Sequence, residues 1–445
     1  MRNVLMMLAM VACLAGAIRA QEPVVVNDRF DPKAGDTIVF LGDSITHQCF
    51  YTQYIEDYFY TRYPAMKLHF YNAGVSGDVA ADALRRFDSD VTEQKPAWVT
   101  ILLGMNDGRY QQWDNDIFEQ YKRDMNTIMD KLEALGATII PMKPTMYDIV
   151  AYHDRKPGQW KHPKDPAGAA VYNMVMAYYG AWLQQAAMDR GRGVIDVYSP
   201  LNEFTVAGRK SDPHYTLVPD AVHPGPPGHA IMAFTLLETS HGNRKVSAVK
   251  AVRRGDQWKI DSADGEIADV SGDPSHVKFT FTAKSLPWVL PEETELGFTL
   301  THAGHKMSNE RLTVAGLAPG KYQLSIDGQV VGAYSNLALG SKVELQSNKK
   351  TPQYQQALAV AMLNKERNDK AIHPLRNLYS RLKGQRRNGE PDAAWMENFK
   401  AEAKKLTDLA DEYEAKIYEL AQPKPRVYEL RPFENRKPEK QENRK

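Results

Sequence analysis

The sequence predicts a three-layer α/β domain over roughly residues 36–240, and three observations point to it. Apolar runs of four to six residues are bounded by turn residues, are continuous rather than alternating, and are separated by longer amphipathic stretches. Continuous apolar runs are typical of parallel strands buried on both faces. Their alternation with helices indicates βαβ units, and hence helices on both sides of one parallel sheet. The predicted strands cover residues 37–41, 67–71, 98–103, 138–142 and 193–197.

The stretches between these strands have helical periodicity. Residues 118–135 place apolar side chains three and four positions apart, and residues 171–190 do the same. Ligands in such folds bind beyond the carboxyl ends of the strands. We therefore expect functional residues in the loops that begin at Gly42, Ala73, Gly104 and Pro144.

Residues 1–20 are predicted to be a secretory signal peptide. Arg2 precedes a continuous small or apolar run over residues 4–18, which is shorter than the roughly 20 residues of a membrane span. Small residues offer cleavage after Ala17 or Ala20. An acylated Cys13 is a less favoured alternative, because the residues before it form a poor lipobox. Either way, we expect the protein to be exported to the periplasm or the medium.

Composition excludes several classes of protein. The 445 residues carry 56 Lys and Arg against 55 Asp and Glu, which argues against a nucleic-acid-binding protein. A mean hydropathy of −0.50 argues against a polytopic membrane protein. Two cysteines, Cys13 and Cys49, exclude a disulfide framework. Cys49 is expected to be a buried small apolar residue.

Residues 243–350 have a different pattern, which predicts a small antiparallel β module. Strands are expected at residues 277–283, 295–301, 322–327 and 329–334, the last two forming a hairpin around Asp327-Gly328. Trp258 and Trp288 lie in this module. Stacking on sugars is conceivable for both, but core packing is the favoured interpretation.

Residues 351–421 are predicted to form a helical hairpin. Its second helix carries an apolar stripe with heptad-like spacing, for which packing on the rest of the chain is favoured over a dimeric coiled coil. Residues 422–445 are rich in Pro, Lys, Arg and Glu, and are predicted to be a flexible tail. The stripe consists of Phe399, Ala403, Leu406, Ala410, Tyr413, Ile417 and Leu420.

Two motifs follow the first two predicted strands. Gly42-Asp43-Ser44 can present a hydroxyl at the sheet edge, although a turn with a helix cap is the favoured interpretation of this triplet alone. Residues 72–78, with the sequence NAGVSGD, let the backbone approach a ligand closely. An ordinary glycine-containing loop is the alternative, and the spacing does not match a dinucleotide-binding loop.

Two further motifs come later in the chain. Residues 104–107, with the sequence GMND, offer the amide of Asn106 as a donor to developing negative charge, or else form a simple turn. Asp220 precedes His223 by three residues, so its carboxylate can orient the imidazole as a base. A helix cap beside a surface histidine is the alternative.

The four motifs are more informative together, because all of them fall at the carboxyl edge of one predicted sheet. They supply a nucleophile, oxyanion donors and an oriented base, which are the groups that acyl transfer requires. In type and order, the blocks GDS, NAGVSGD, GMND and DAVH resemble those of the SGNH hydrolases, also called GDSL esterases. The resemblance covers roughly residues 36–240. It implies a flavodoxin-like α/β/α sandwich as the catalytic domain over residues 21–242.

The resemblance also implies a role for each residue. Ser44 would be the nucleophile, His223 the general base and Asp220 its orienting partner, with Asp43 in support. The oxyanion hole would consist of the Ser44 and Gly77 backbone N–H groups and the Asn106 side chain. Gly77 is preferred to Gly74 because it occupies the Ser-Gly-Asp position. The absence of a Gly-x-Ser-x-Gly motif argues against an ordinary α/β-hydrolase.

Neither a metal nor a cofactor is expected, since the chain has no His-Glu-x-x-His and no paired cysteine motif. His47 is expected on a helix surface, and His229 is expected to cap the last helix of the domain.

The first functional hypothesis is an exported esterase that removes acetyl groups from carbohydrate, since exported members of the family often do so. Its substrate would be an acylated polysaccharide or small molecule. A lipase, lysophospholipase or thioesterase acting on longer acyl groups is the second hypothesis. A glycan-binding protein without activity is the third.

Overall fold

A computed structural model describes residues 29–155, 166–240, 245–387 and 389–433. The predicted signal peptide and the last 12 residues of the predicted tail lie outside these ranges. Among the described residues, no helix has both the length and the apolar character needed to cross a bilayer.

The first part of the chain contains a four-stranded parallel sheet with the order β2-β1-β3-β4. Four of the predicted strands are thus confirmed, whereas the fifth is reduced to a single parallel bridge between Met142 and Ile195. The order is that of the flavodoxin-like class. The strands are β1 Thr37–Gly42, β2 His69–Gly74, β3 Trp98–Leu102 and β4 Thr138–Pro141.

Helices flank this sheet on both faces, which confirms the three-layer α/β class. Apolar clusters fill both sides, with Phe40 in one and Val39 and Leu41 in the other. Successive β1 side chains therefore pack against helices on opposite faces of the sheet. The helices are α1 Ser44–His47, α2 Phe50–Arg62, α3 Ala80–Arg85, α4 Phe87–Asp90, α5 Asn115–Ala134, α6 Ile149–His153, α7 Pro166–Asp189, α8 Tyr198–Arg209 and α9 Pro226–Ser240, with 3₁₀ turns at Pro64–Met66 and Thr92–Gln94.

The β module consists of two sheets that pack around one shared core. The sheet orders are β12-β9-β5-β6 and β11-β10-β13-β8-β7. Phe279, Leu312, Leu324 and Trp258 belong to the core between them. The strands are β5 Lys245–Arg254, β6 Gln257–Asp261, β7 Gly265–Asp273, β8 His276–Ala283, β9 Asn309–Ala315, β10 Lys321–Ile326, β11 Gln329–Ser335, β12 Val343–Glu344 and β13 Arg426–Pro432.

Two predictions for this module are wrong in part. Pairing is not purely antiparallel, because β5 and β9 run parallel. The strand expected at residues 295–301 is instead helix α10, Glu295–Leu300, which follows a 3₁₀ turn at Glu292–Thr294. Gly297 explains this, since an added Cβ there would lie 2.1 Å from the Pro227 carbonyl oxygen. Close packing on α9 overrides the strand propensity of the segment. Short helices α11 Ala303–Met307 and α12 Asn336–Ser341 complete the module.

The predicted flexible tail is also wrong over Arg426–Pro432. This segment is β13, which lies between β8 and β10 and pairs with both. Buried and more exposed residues alternate along it, with Tyr428 and Leu430 buried, although charged residues surround them in the sequence. The segment folds because neighbouring strands from distant parts of the chain satisfy its backbone on both sides.

Three helices and a π-helical turn form the region between the module and β13, which we call the helical extension. They are α13 Pro352–Arg367, the π turn Asn368–Ile372, α14 His373–Arg386 and α15 Ala393–Leu420. The apolar stripe of α15 packs within the chain, with Ile417 in the main core and Phe399 against α14. Tyr418 donates to the Leu68 carbonyl, and Arg367 donates to the Phe70 carbonyl. The extension therefore covers the edge of the parallel sheet at β2.

Candidate active site

Three side chains form a continuous hydrogen-bonded line at the carboxyl edge of the parallel sheet. His223 Nε2 lies 2.7 Å from Ser44 Oγ, and His223 Nδ1 lies 2.6 Å from Asp220 Oδ2. Ser44 begins α1 directly after β1, while Asp220 and His223 lie in the loop before α9. The structure therefore brings together the three residues that the sequence assigned to the triad.

The loop around Asp220 is held in a constrained conformation. Asp220 Oδ1 accepts hydrogen bonds from the Val222 and His223 N–H groups, at 3.0 and 2.6 Å. Ala221 has a φ of 73°, a left-handed conformation unfavourable for alanine, and its carbonyl accepts from Asp148 N–H. Partial burial of Asp220 is outweighed by the bonds from His223 and Val222, which hold the pKa of its carboxyl below the usual value. The carboxylate is thus kept ionised beside the imidazole.

Tight packing places Ser44 at the end of β1. A Cβ at Gly42 would lie 2.0 Å from Thr46 Oγ1, so only glycine fits beneath the turn. Asp43 caps α1, because its Oδ1 accepts from the Ile45 N–H at 2.9 Å. Burial raises the pKa of Asp43 to about 6, against the opposing effects of the Ile45 N–H and His223.

Asn106 and Gly77 lie at the same edge. Asn106 Nδ2 donates to the Asp78 carbonyl at 3.0 Å and lies 3.4 Å from Asp43 Oδ2. Tyr110 donates to Asn106 Oδ1 at 2.8 Å, which fixes the orientation of the amide. Gly77 has a φ of 70°. Within the described part of the chain, the Ser44 and Gly77 N–H groups donate to no protein acceptor, so both are available to a ligand.

Buried charged side chains hold the loop that contains Gly77 and Asp78. Asp78 accepts from Arg86 Nε and from Lys383 Nζ, both at 2.7 Å, and its carboxylate is fully buried. Arg86 also donates to the Gly42 carbonyl at 3.1 Å, so one guanidinium connects the Ser44 turn to the loop at Gly77. Asp78 belongs to the motif of residues 72–78, but Arg86 and Lys383 were not singled out in the sequence. Lys383 lies 305 positions from Asp78 and carries no local signal.

Two histidines occupy positions different from those expected. His47 is buried rather than on a helix surface, with Nδ1 3.0 Å from Ser76 Oγ and Nε2 3.1 Å from Asn377 Oδ1. Burial lowers its pKa to about 3, helped by Arg376 and His373. His229 is fully buried in the first turn of α9, and its Nε2 lies 3.0 Å from Gln48 Oε1. Both side chains are buried and have hydrogen-bond partners within the fold.

The remaining single residues are in the environments favoured by the sequence. Cys49 is buried at the start of α2, and Trp288 is 1% exposed within the core. In the described ranges, no group of three or more His, Cys, Asp or Glu side chains is arranged to hold a metal ion.

The chain is similar in sequence and in fold to known proteins. The model of the GDSL-like lipase/acylhydrolase family matches residues 40–231. An acetylxylan esterase of Geobacillus stearothermophilus is 27% identical over 225 residues, which cover 46% of this chain and 93% of that protein. The fold of a gut microbial diltiazem-metabolizing enzyme matches with a TM-score of 0.74 at 23% identity, covering 91% of this chain and all of the other. The expected family is thereby confirmed: residues 40–231 form a domain of the GDSL-like lipase/acylhydrolase family, and the protein is a carboxylic ester hydrolase.

Proposed function

We propose that this protein hydrolyses acetyl esters on carbohydrate through an acyl-Ser44 intermediate. The observation that carries the proposal is the unbroken line from Asp220 through His223 to Ser44, with separations of 2.6 and 2.7 Å. Both separations are within direct hydrogen-bonding distance, which a nucleophile and its base require.

The reaction follows from the positions of these groups. His223 Nε2 accepts the Ser44 proton as Oγ attacks the acyl carbonyl carbon. The Ser44 and Gly77 N–H groups and the Asn106 amide stabilise the oxyanion, and Asp220 stabilises the imidazolium. The alcohol leaves with the proton from His223. Water, deprotonated by His223, then attacks the acyl-Ser44 carbonyl carbon. The bond to Ser44 Oγ breaks, His223 returns the proton to that oxygen, and the carboxylic acid is released.

The acetylxylan esterase relative supports an acetylated carbohydrate as the substrate. The pattern of residues 1–20 supports export of the protein. An exported enzyme can reach polysaccharides outside the cell. Export predicts a mature protein that begins at residue 18 or 21, which N-terminal mass analysis of the exported fraction measures.

The test is acetate release from a panel of acetylated glycans that includes acetylated xylan. We expect Ser44→Ala to lose activity to near background and Ser275→Ala, in a turn of the β module, to keep it. The same enzymes are assayed on p-nitrophenyl acetate and octanoate. A marked preference for octanoate contradicts the acetyl specificity, and full activity of Ser44→Ala contradicts the mechanism.

A further inference from the structure

We infer that Lys383, in the helical extension, is a positioning residue for the loop of residues 74–78, which we call the oxyanion loop. The inference rests on the proposed function, in which the Gly77 N–H of this loop stabilises the oxyanion. Residue 383 lies outside residues 40–231, so the anchor comes from outside the family domain.

Lys383 contacts the loop on both sides of Gly77. Its Nζ lies 2.7 Å from Asp78 Oδ1 and 3.4 Å from the Ser76 carbonyl oxygen. A Cβ added at Gly77 would have this same Nζ as its nearest neighbour, at 3.9 Å. The ammonium group therefore contacts the residues on either side of Gly77 and lies close to Gly77 itself.

Asp78 connects Lys383 to Asn106, which is the second proposed oxyanion donor. Its carboxylate is fully buried between Lys383 and Arg86, and its carbonyl accepts the hydrogen bond from Asn106 Nδ2 at 3.0 Å. Displacement of Asp78 would move both Gly77 and Asn106. Donors displaced by about 1 Å can lose about 100-fold in rate.

Helix α14 also holds the first part of the loop. Arg376 Nε donates to the Gly74 carbonyl at 3.0 Å, and Val75 packs against Leu375 and Leu378. Arg376 and its partner Asp90 are both fully buried. Removal of Arg376 would leave an unpaired buried charge and destabilise the fold. Lys383 is the better residue to test, because its side chain is 14% exposed and Asp78 keeps Arg86 as a partner without it.

The first test compares Lys383→Met, Lys383→Arg and Lys404→Met. Lys404 pairs with Asp408 on the exposed side of α15 and does not contact the loop. We expect kcat for p-nitrophenyl acetate to fall 10- to 100-fold in Lys383→Met, with KM changed less than threefold. Lys383→Arg should recover at least half of the lost kcat on a logarithmic scale, and Lys404→Met should match the wild type. Unfolding temperatures are measured for each variant.

The second test uses a cavity of about 410 Å³ that Lys383, Asp78 and Asp82 line. Lys383→Ala leaves room there for a small ammonium ion, so ethylammonium should raise its kcat several-fold. Tetramethylammonium, which has no N–H donor, should not. Rates are corrected for aminolysis without enzyme, and Lys404→Ala is the matched control. If Lys383 only stabilised the fold, Lys383→Ala would have a lower unfolding temperature and an added cation would not restore its kcat.

The outcomes separate the two proposals. Full activity of Ser44→Ala overturns the proposed function itself. If Ser44→Ala is inactive while Lys383→Met keeps kcat within threefold of wild type, only the role of Lys383 is overturned. Loss of kcat that neither Lys383→Arg nor ethylammonium restores also overturns it.

Discussion

The Nε2 atom of His223 lies 2.7 Å from the Oγ atom of Ser44, although 179 positions separate the two residues in the chain. Ser44 follows the first strand of the parallel sheet, and His223 precedes the last helix of the same domain. They meet because the loops at the carboxyl edge of a parallel sheet converge.

Asp220→Asn should lower kcat by about 10⁴-fold with little change in stability, the loss known for the same change in a serine protease triad. The amide still offers an oxygen to the Val222 and His223 N–H groups, but it no longer stabilises the imidazolium. Steady-state kinetics measures the change. Asp212→Asn is the matched control, because Asp212 Oδ1 likewise accepts from a nearby N–H, that of His214, in an exposed loop. Equal effects of the two substitutions would contradict the role of Asp220.

Gly77→Ala should lower kcat about 10- to 100-fold while the protein still folds. A Cβ has room there, but a φ of 70° costs alanine roughly 1–2 kcal/mol, so the backbone should shift and carry the N–H with it. Gly136→Ala is the control, since Gly136 has a φ of 78° and open space around it, far from Ser44 in the turn before β4. Both should lose similar stability in urea unfolding, but only Gly77→Ala should lose activity. Normal activity of Gly77→Ala would remove Gly77 from the oxyanion hole.

A chain that ends at residue 424 should lose a folded β module, whereas a chain that ends at residue 433 should keep it. The shorter chain lacks β13, with the buried side chains of Tyr428 and Leu430, each of which stabilises the core by roughly 2–5 kcal/mol. It also leaves β8 and β10 without the strand between them. Calorimetry measures both chains. Identical unfolding profiles would show that β13 is dispensable.

Glu310→Gln should make stability less dependent on pH between about 4.5 and 7. Burial raises the pKa of Glu310 from 4.5 to about 7, with Gln353 and Arg62 opposing the shift. A raised carboxyl pKa means that the folded state binds the proton more tightly, so stability falls as pH rises through this window. The loss is on the order of 3 kcal/mol by pH 7.

Unfolding temperatures of the wild type and Glu310→Gln are therefore compared at pH 5 and pH 8. The substitution should raise the unfolding temperature at pH 8 relative to wild type and change it little at pH 5. Glu293→Gln, on an exposed 3₁₀ turn, is the control and should have no effect at either pH. An equal change at both pH values would show that ionisation of Glu310 is not responsible.

Local patterns were sufficient for the parts of the fold that depend on local sequence. Continuous apolar runs predicted five parallel strands, of which four form the sheet and the fifth is a single bridge, and Asp327-Gly328 predicted the hairpin of β10 and β11. The prediction of a flexible tail was wrong over β13, because the alternation of buried and exposed residues around Tyr428 and Leu430 is short and lies among charged residues. The strand expected at residues 295–301 failed because Gly297 packs against the Pro227 carbonyl, a contact between distant segments.

The sequence by itself determined the α/β class and the types of group at the sheet edge, since hydrophobic periodicity and turn residues act within a few positions. It placed Ser44, Gly77 and Asn106 after strands that end at that edge, and Asp220 and His223 in the loop before the last helix of the domain. Only the tertiary structure decided that Lys383 and Arg376 support the same loop, and that His47 is buried. Charge pairing acts over a few ångströms in space and leaves no trace along a chain in which the partners are some 300 residues apart.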